Sequence, residues 1–242
     1  MVNKIFQAEP NSFIQDVDWV LYSVDPVIFT FYRDELCVLL IKRSSPPYKG
    51  LWSLPGGRVD KKACANLEQA LLAKLKSKTG IENIFFEQLA TYGGSDMDPR
   101  GWSVATAYLA LVHESELDIN RLESEEPIRW WRLSEIGGDK PLAFWHEKMI
   151  RDAFVRLRDK SLYTDLPVNF MPNTFTYPML KQAFEKILGT SISRQSFARR
   201  MDAAGIFEDT GERETGRNRP SPVYRRIHRG GSYVFPGIIK PK

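Results

Sequence analysis

The stretch GLWSLPGGRVD, residues 50–60, is followed by a helical segment that ends at Thr79-Gly80-Ile81. LWSLPGG joins a short apolar run to two adjacent glycines, which predicts a brief strand entering a tight turn. Between residues 66 and 79 apolar side chains recur at helical spacing, and Gly80 stands where a left-handed residue ends a helix. The stretch therefore predicts a strand–turn–helix unit.

The segments around this unit predict a mixed sheet. Residues 19–43 hold two apolar, β-branched runs around the turn Tyr32-Arg33-Asp34-Glu35, which is the pattern of a hairpin. Further strand-like runs occupy 84–92, 104–112 and 128–133, and a long helix is predicted from Leu142 to Leu162. This order indicates the α+β class, with a mixed-sheet α/β/α domain.

A second domain is predicted after the long helix. Tyr163–Thr174 holds two prolines and little periodicity, so we place an inter-domain linker there and divide the chain into residues 1–162 and 163–242. Two capped helices follow, the first from Thr176 to Gly189 and the second from Ser193 to Gly205. The remaining residues predict a two-stranded wing, so the second domain is expected to be a winged helix-turn-helix.

Charge is divided unevenly between these domains. The chain has 242 residues and a net charge of +4, but residues 161–242 alone carry +6 and residues 1–160 carry −2. This asymmetry indicates a module that binds a polyanion, although a solvated basic surface would have the same net charge. Two cysteines are too few for a disulfide framework, and no signal peptide or membrane span is evident. A cytoplasmic location is the expectation.

Residues 50–81 resemble the Nudix box, whose helix ends in Arg-Glu-x-x-Glu-Glu-x-Gly in active hydrolases. Those carboxylates hold divalent metals that activate water against a pyrophosphate. Aligned on Gly80, the acidic positions hold Lys74, Ser77 and Lys78, and Ala73 replaces the arginine. Protonated lysine cannot ligate a metal. We therefore expect no catalytic residue, no metal site and no hydrolase activity.

Two interpretations of Lys74 and Lys78 stay open. Four residues apart, they share one face of the helix. They could supply, in covalent form, the positive charge that metals supply in the enzymes, so that the pocket holds a diphosphate without cutting it. They could equally be surface residues on a relic helix, because lysine is common on exposed helix faces.

Three downstream segments resemble the Nudix-related transcriptional regulators of NAD metabolism, the NrtR family. They are EQLATYGGSDMDPRGWSVATAYLALV at 87–112, Pro141-Leu-Ala-Phe-Trp-His146, and GRNRPSPVYR in the basic tail. One departure is Trp145, where the family usually has Asp. The resemblance implies a Nudix-like domain that binds ADP-ribose or a related NAD-derived metabolite as effector, without a further cofactor.

Such an effector requires cationic donors for its phosphates and an apolar or aromatic slot for its base. Arg100 could instead form a loop salt bridge, Phe144 could pack at the helix start, and Arg43 could extend to solvent from the strand end. The candidate effector-binding residues are Arg43, Gly57, Arg58, Lys74, Lys78, Arg100 and Phe144.

The second helix of the basic tail has the pattern of a recognition helix. Phe197, Met201 and Ala204 form an apolar seam, and the opposite face carries residues suited to base edges. Arginines at the wing tip suit phosphate or minor-groove contacts. The candidate DNA-binding residues are Arg194, Gln195, Ser196, Arg199 and Arg200 on the helix, and Arg217 and Arg219 in the wing.

These features together predict a homodimeric repressor that binds palindromic double-stranded operator DNA and is controlled by a small-molecule effector. The family resemblance implies that its targets are genes of NAD biosynthesis or salvage. Alternatives are an active Nudix pyrophosphatase with an accessory basic domain, a related regulator that senses a sugar, and an RNA-processing factor that uses the tail. No membrane partner is expected.

Overall fold

The predicted hairpin forms the centre of the sheet in the computed structural model, which describes residues 20–116, 127–138, 140–214, 220–227 and 232–239. Strand β1 (Leu21–Tyr32) pairs with β2 (Glu35–Lys42), and Tyr32 lies opposite Glu35. The turn residues Arg33 and Asp34 both have positive φ. That conformation matches the twist of the flanking strands, which confirms the hairpin.

The sheet is mixed because β1 runs parallel to one neighbour and antiparallel to the others. The remaining strands are β3 (Trp52–Ser53), β4 (Gly57–Arg58), β5 (Phe85–Gly94), β6 (Ser103–Leu111) and β7 (Ile128–Arg132). The parallel partner of β1 is β6, with Leu21 opposite Ser103 and Phe29 opposite Leu111. The strand order is β3-β2-β1-β6-β5, with β4 paired to β1 and β7 paired to β2.

Two helices cover the two faces of this sheet. Helix α1 (Leu67–Thr79) begins at Asn66, whose side chain accepts the Gln69 amide hydrogen, and ends at left-handed Gly80. It buries Leu71 and Leu75 against one face, and α2 (His146–Ser161) packs on the other face through buried aliphatic residues. The predicted α+β class and the Nudix-like mixed-sheet domain are confirmed. No helix within the described ranges is long and apolar enough to cross a membrane.

Helix α2 begins four residues later than the sequence predicted. Leu142 forms a bridge with Trp52 in the sheet, and the Ala143 amide donates to the Trp52 carbonyl at 2.9 Å. Phe144 has a φ of 54°, which no helical residue adopts. The segment before His146 therefore extends the sheet edge and does not form a first helical turn.

The basic domain is a winged helix-turn-helix, as predicted. Helix α3 (Tyr177–Leu188) is capped by Thr176 and Gly189, and α4 (Arg194–Ala204) is capped by Ser193 and Gly205. Phe184 and Phe197 join the helices edge to face, with ring centroids 5.4 Å apart. A three-stranded sheet completes the domain in the order β8 (Thr174–Thr176), β10 (Ser221–Arg226), β9 (Phe207–Glu214).

The segment proposed as the linker is packed into the protein. It contains a short 3₁₀ helix, Leu166–Phe170, whose apolar side chains are buried. Asp165 is fully buried and accepts hydrogen bonds from Arg226 of β10 and from the Tyr233 amide. The ion pair with Arg226 offsets the cost of burying the Asp165 carboxylate. The segment is therefore a packed connector, and the boundary at residue 162 stays a prediction.

The winged helix also contacts the tip of the β1–β2 hairpin. Lys186 of α3 forms an ion pair with Asp34 and lies over the Phe31 ring, and Gln182 donates to Asp34 at 3.2 Å. Phe31 in turn packs edge to face on Phe170 of the connector, at 4.9 Å between centroids. The hairpin therefore joins the two domains at its closed end.

Candidate effector site and nucleic-acid interface

A pocket opens where β1 and β6 begin, on the sheet face that α2 covers. The glycine turn forms one side, the loop at residues 97–100 forms another, and the start of α2 closes the floor. Its lining residues are Leu21, Tyr22, Ser23, Asp25, Arg43, Leu54, Gly56, Gly57, Arg58, Met97, Asp98, Arg100, Ser103, Ala105, Phe144, His146 and Met149.

Asp25 is a buried carboxylate in this pocket. It is 4% exposed, and Ser23 donates a hydrogen bond to its Oδ2 at 2.7 Å. Burial raises the pKa of Asp25 to about 6, against the lowering effects of the Ser23 hydroxyl and of the positive charges of Lys78 and Arg43. Asp25 is thus ionised at neutral pH, at a cost to folding.

His146 faces Asp25 from the first turn of α2. It is 4% exposed, its Nδ1 accepts the Leu54 amide hydrogen at 2.9 Å, and its Nε2 lies 3.7 Å from Asp25 Oδ1. Burial lowers the pKa of His146 to about 3, with the charges of Arg43 and Lys78 acting in the same direction. The ring is therefore neutral, and because Nδ1 accepts a hydrogen bond, its proton is on Nε2.

Five of the seven predicted effector residues line the pocket, namely Arg43, Gly57, Arg58, Arg100 and Phe144. The Arg43 guanidinium lies over the Phe144 ring, 4.8 Å from its centroid, and donates to the Pro47 carbonyl. Arg100 forms a bidentate ion pair with Asp98, which is the loop salt bridge considered as its alternative role. Arg58 is exposed and forms no ion pair with any residue in the described part of the chain.

Lys74 and Lys78 lie behind the glycine turn and do not line the pocket. Lys78 Nζ donates to the Gly56 carbonyl at 2.6 Å, and the end of the Lys74 side chain lies beside Gly57. Lys74 and Lys78 thus lie outside the pocket lining, and their part in effector binding stays a prediction. The positive charge of Lys78 lowers the pKa of Asp25.

Replacing Asp25 by asparagine should stabilise the protein at neutral pH. The pKa of Asp25 rises from 3.8 when unfolded to about 6 when folded, so its ionisation lowers stability as pH rises through this range. Two pKa units correspond to about 3 kcal/mol. We expect the free energy of unfolding of Asp25→Asn in urea to exceed that of the unchanged protein at pH 8, and the excess to shrink towards pH 4. An excess that does not depend on pH would contradict the assigned ionisation.

The outer face of α4 presents four of the predicted DNA-binding residues to solvent. Arg194, Gln195, Ser196 and Arg199 are exposed, whereas Phe197 and Met201 of the seam are buried. This amphipathic arrangement leaves polar side chains free to enter a major groove.

Arg200 does not belong to that face, and its predicted contact with DNA stays a prediction. It donates to the carbonyls of Leu162 and Gly237 and lies 4.2 Å from the centroid of the Phe235 ring. Burial lowers the pKa of Arg200. Its guanidinium links the C-terminal segment to the end of α2. Arg217 and Arg219, predicted at the wing tip, lie outside the described residues.

Asp25, His146 and Gly56 are pocket residues that the sequence prediction missed. Asp25 carried one signal, since it is the one charged residue in strand β1. The glycine turn approaches strand β1 closely at Gly56, because a Cβ at this position would lie 1.9 Å from Asp25 Oδ1 and 2.5 Å from the Val24 carbonyl oxygen.

Comparison with known proteins matches both parts of the chain. The NUDIX domain family matches residues 22–153, and the family described as the NrtR DNA-binding winged helix domain matches residues 167–226. The ADPR responsive transcriptional repressor NtrR of Acinetobacter baylyi is 36% identical over 220 residues, which span 91% of this chain and 87% of that protein. The chain belongs to the NrtR family.

Solved NrtR structures match the same architecture. Shewanella oneidensis NrtR complexed with a 27mer DNA superposes with a TM-score of 0.83 at 37% identity, covering 90% of this chain and 99% of that one. The NUDIX domain of the same protein complexed with ADP ribose matches with a TM-score of 0.53 at 39% identity, covering 62% and 94%.

The NrtR family shares its Nudix domain with enzymes. An ADP-ribose pyrophosphatase of Methanocaldococcus jannaschii is 33% identical over 116 residues, which cover 48% of this chain and 64% of that protein. The similarity to the enzyme therefore covers about half of the chain, whereas the similarity to the repressor extends through the winged helix.

Proposed function

We propose that this protein is a transcriptional repressor that binds operator DNA through α4 and the wing and responds to ADP-ribose bound in the pocket. The observation that carries the proposal is the presence, in one chain, of an exposed polar recognition face and an arginine-lined pocket. Their likeness to NrtR structures containing DNA or ADP ribose supports it. The A. baylyi relative, described as an ADPR responsive transcriptional repressor, supports the proposal as well.

The proposal includes a homodimer that reads a palindromic operator, because two heads related by a two-fold axis impose that symmetry on their site. The targets we propose are genes of NAD biosynthesis or salvage, and the location we propose is the cytoplasm. The test is titration into a duplex of its own promoter region and into a scrambled duplex. We expect at least 1,000-fold preference for the promoter, and equal affinities would contradict the proposal.

We further propose that the Nudix domain does not hydrolyse pyrophosphates. The divalent metals of the Nudix enzymes do not fit this site, because lysine and serine occupy the acidic positions and the Lys78 ammonium bonds the Gly56 carbonyl. Within the described ranges, no group of three His, Cys, Asp or Glu side chains could hold a metal. A cation there would be repelled by Lys78.

The hydrolase alternative is tested by incubating the protein with ADP-ribose and Mg²⁺ or Mn²⁺ and measuring AMP release. An ADP-ribose pyrophosphatase run in parallel shows that the assay detects turnover. We expect no metal-dependent release above the protein-free rate. Clear turnover would contradict the proposal that the domain is a sensor alone.

We propose that the hairpin carries the response from the pocket to the DNA-binding head. Its open end borders the pocket, where β1 provides Asp25 and β2 leads into Arg43. Its closed end is held on α3 by the pair between Asp34 and Lys186. A ligand that favours one hairpin position thereby favours one placement of the head.

Lys186→Ala should therefore uncouple the two sites. We expect its affinities for ADP-ribose alone and for operator alone to stay within about threefold of the unchanged protein, while the effect of ADP-ribose on DNA affinity falls by roughly tenfold, a loss of about 1.4 kcal/mol of coupling energy. Lys181→Ala is the matched control, because Lys181 pairs with Glu185 within the same helix. Full coupling retained in Lys186→Ala would exclude this route.

A further inference from the structure

The floor of the pocket holds a hydrogen-bond donor and an acceptor that do not bond each other. His146 Nε2 carries a proton, Asp25 Oδ1 accepts, and 3.7 Å separates the two atoms. A direct hydrogen bond between nitrogen and oxygen needs about 2.7–3.2 Å. Both residues are 4% exposed and both line the pocket. Burial of a polar pair is costly unless a third group bonds it.

Fixed contacts hold the two atoms at this separation. The Leu54 amide orients the His146 ring through Nδ1, and the Ser23 hydroxyl holds the other carboxylate oxygen of Asp25. Gly56 lies against Asp25 Oδ1, so the carboxylate cannot move in that direction. The pair is thus positioned before any ligand arrives, which lowers the entropic cost of binding.

We propose that Asp25 and His146 bind a sugar hydroxyl of the effector, so that the pocket selects a nucleoside diphosphate that carries a free sugar. A hydroxyl both donates and accepts, and an oxygen about 2.8 Å from each atom satisfies both partners at once. A phosphate oxygen accepts but would be repelled by the carboxylate. An adenine edge also presents a donor beside an acceptor, but its flat ring needs an apolar slot, whereas the floor holds an ionised carboxylate that a hydroxyl can bond through one atom.

The charges at the rim agree with this orientation. Arg58 lines the pocket and is exposed, whereas Arg43 stacks on Phe144 and Arg100 is paired with Asp98. A diphosphate at Arg58 leaves the sugar beyond it to reach the floor. The inference rests on the proposed function, since it assumes that ADP-ribose enters this pocket.

The test compares the affinities of ADP-ribose and ADP for the full-length protein and for Asp25→Asn at pH 7.5, by calorimetry. ADP keeps the base and both phosphates but lacks the second sugar. We expect Asp25→Asn to weaken ADP-ribose binding roughly 10- to 150-fold, as for loss of a charged hydrogen bond, and to leave ADP binding unchanged. Asp96→Asn, which changes the same charge on an exposed loop, should affect neither ligand.

A second variant removes the donor and keeps the fold of the floor. His146→Asn can still accept from the Leu54 amide but has no atom in the place of Nε2, so it should show the same selective loss of ADP-ribose. If the variants lose affinity for ADP-ribose and ADP equally, the pair contacts the base or the phosphates. If ADP-ribose affinity is unchanged, the pair serves only the fold. Either result overturns the inference. If the unchanged protein binds no ADP-ribose, the proposed function fails and the inference with it.

Discussion

Gly56→Ala is expected to abolish effector binding and leave DNA binding intact. The added methyl would meet Asp25 Oδ1 at 1.9 Å and the Val24 carbonyl oxygen at 2.5 Å, both far inside van der Waals contact. The Val24 carbonyl belongs to the central strand β1 and cannot retreat without disturbing the sheet. The glycine turn must therefore move away from the floor, and we expect more than 100-fold loss of ADP-ribose affinity, with about 1–3 kcal/mol loss of stability.

The matched control is Gly237→Ala, because a methyl there meets nothing within 4 Å. Calorimetry gives the ADP-ribose affinity, and titration with operator duplex gives the DNA affinity. Gly56→Ala should bind operator within about threefold of the unchanged protein and should no longer respond to ADP-ribose, because the winged helix has its own core. Retention of ADP-ribose affinity by a folded Gly56→Ala would refute the proposed pocket geometry.

Arg199→Ala is expected to reduce operator affinity and to reduce discrimination between operator and scrambled DNA. Arg199 is exposed on the outer face of α4, where a guanidinium can bond a guanine edge in two places. Loss of such a contact costs about 1–3 kcal/mol, which corresponds to roughly 5- to 150-fold in affinity. A contact to phosphate would instead weaken binding to both duplexes alike and lower the salt dependence.

Arg158→Ala provides the control, since Arg158 is a half-exposed arginine of α2. It removes the same charge from a helix other than the recognition helix and should leave both affinities unchanged. Competition titrations with the two duplexes at matched salt measure the discrimination. If Arg199→Ala binds both duplexes as the unchanged protein does, α4 is not the reading helix.

The helices could be predicted because their signals are local. Asn66 with Gly80, and Ser193 with Gly205, mark helix ends through contacts a few residues away. The same holds for the hairpin turn at Arg33 and Asp34. Such patterns need no knowledge of the tertiary structure, so the order of elements and the winged helix followed from the sequence.

The floor of the pocket could not be predicted in this way. Asp25 and His146 are 121 residues apart and meet because α2 packs on β1, and the sequence contains no pattern that relates them. Arg200 is a similar case. Helical spacing put it beside the apolar seam, but its partners Gly237 and Phe235 come from the C-terminal segment. Long-range contacts decide which polar residues serve the site and which serve the fold.

Reciprocal linkage between ADP-ribose and operator DNA is the central property expected of a repressor that carries both sites. Operator affinity is measured with and without saturating ADP-ribose, and ADP-ribose affinity is measured with and without saturating operator. We predict that each ligand changes the affinity of the other by the same factor, tenfold or more. If the protein binds both ligands but its DNA-binding isotherms are identical with and without ADP-ribose, the proposed effector response is contradicted.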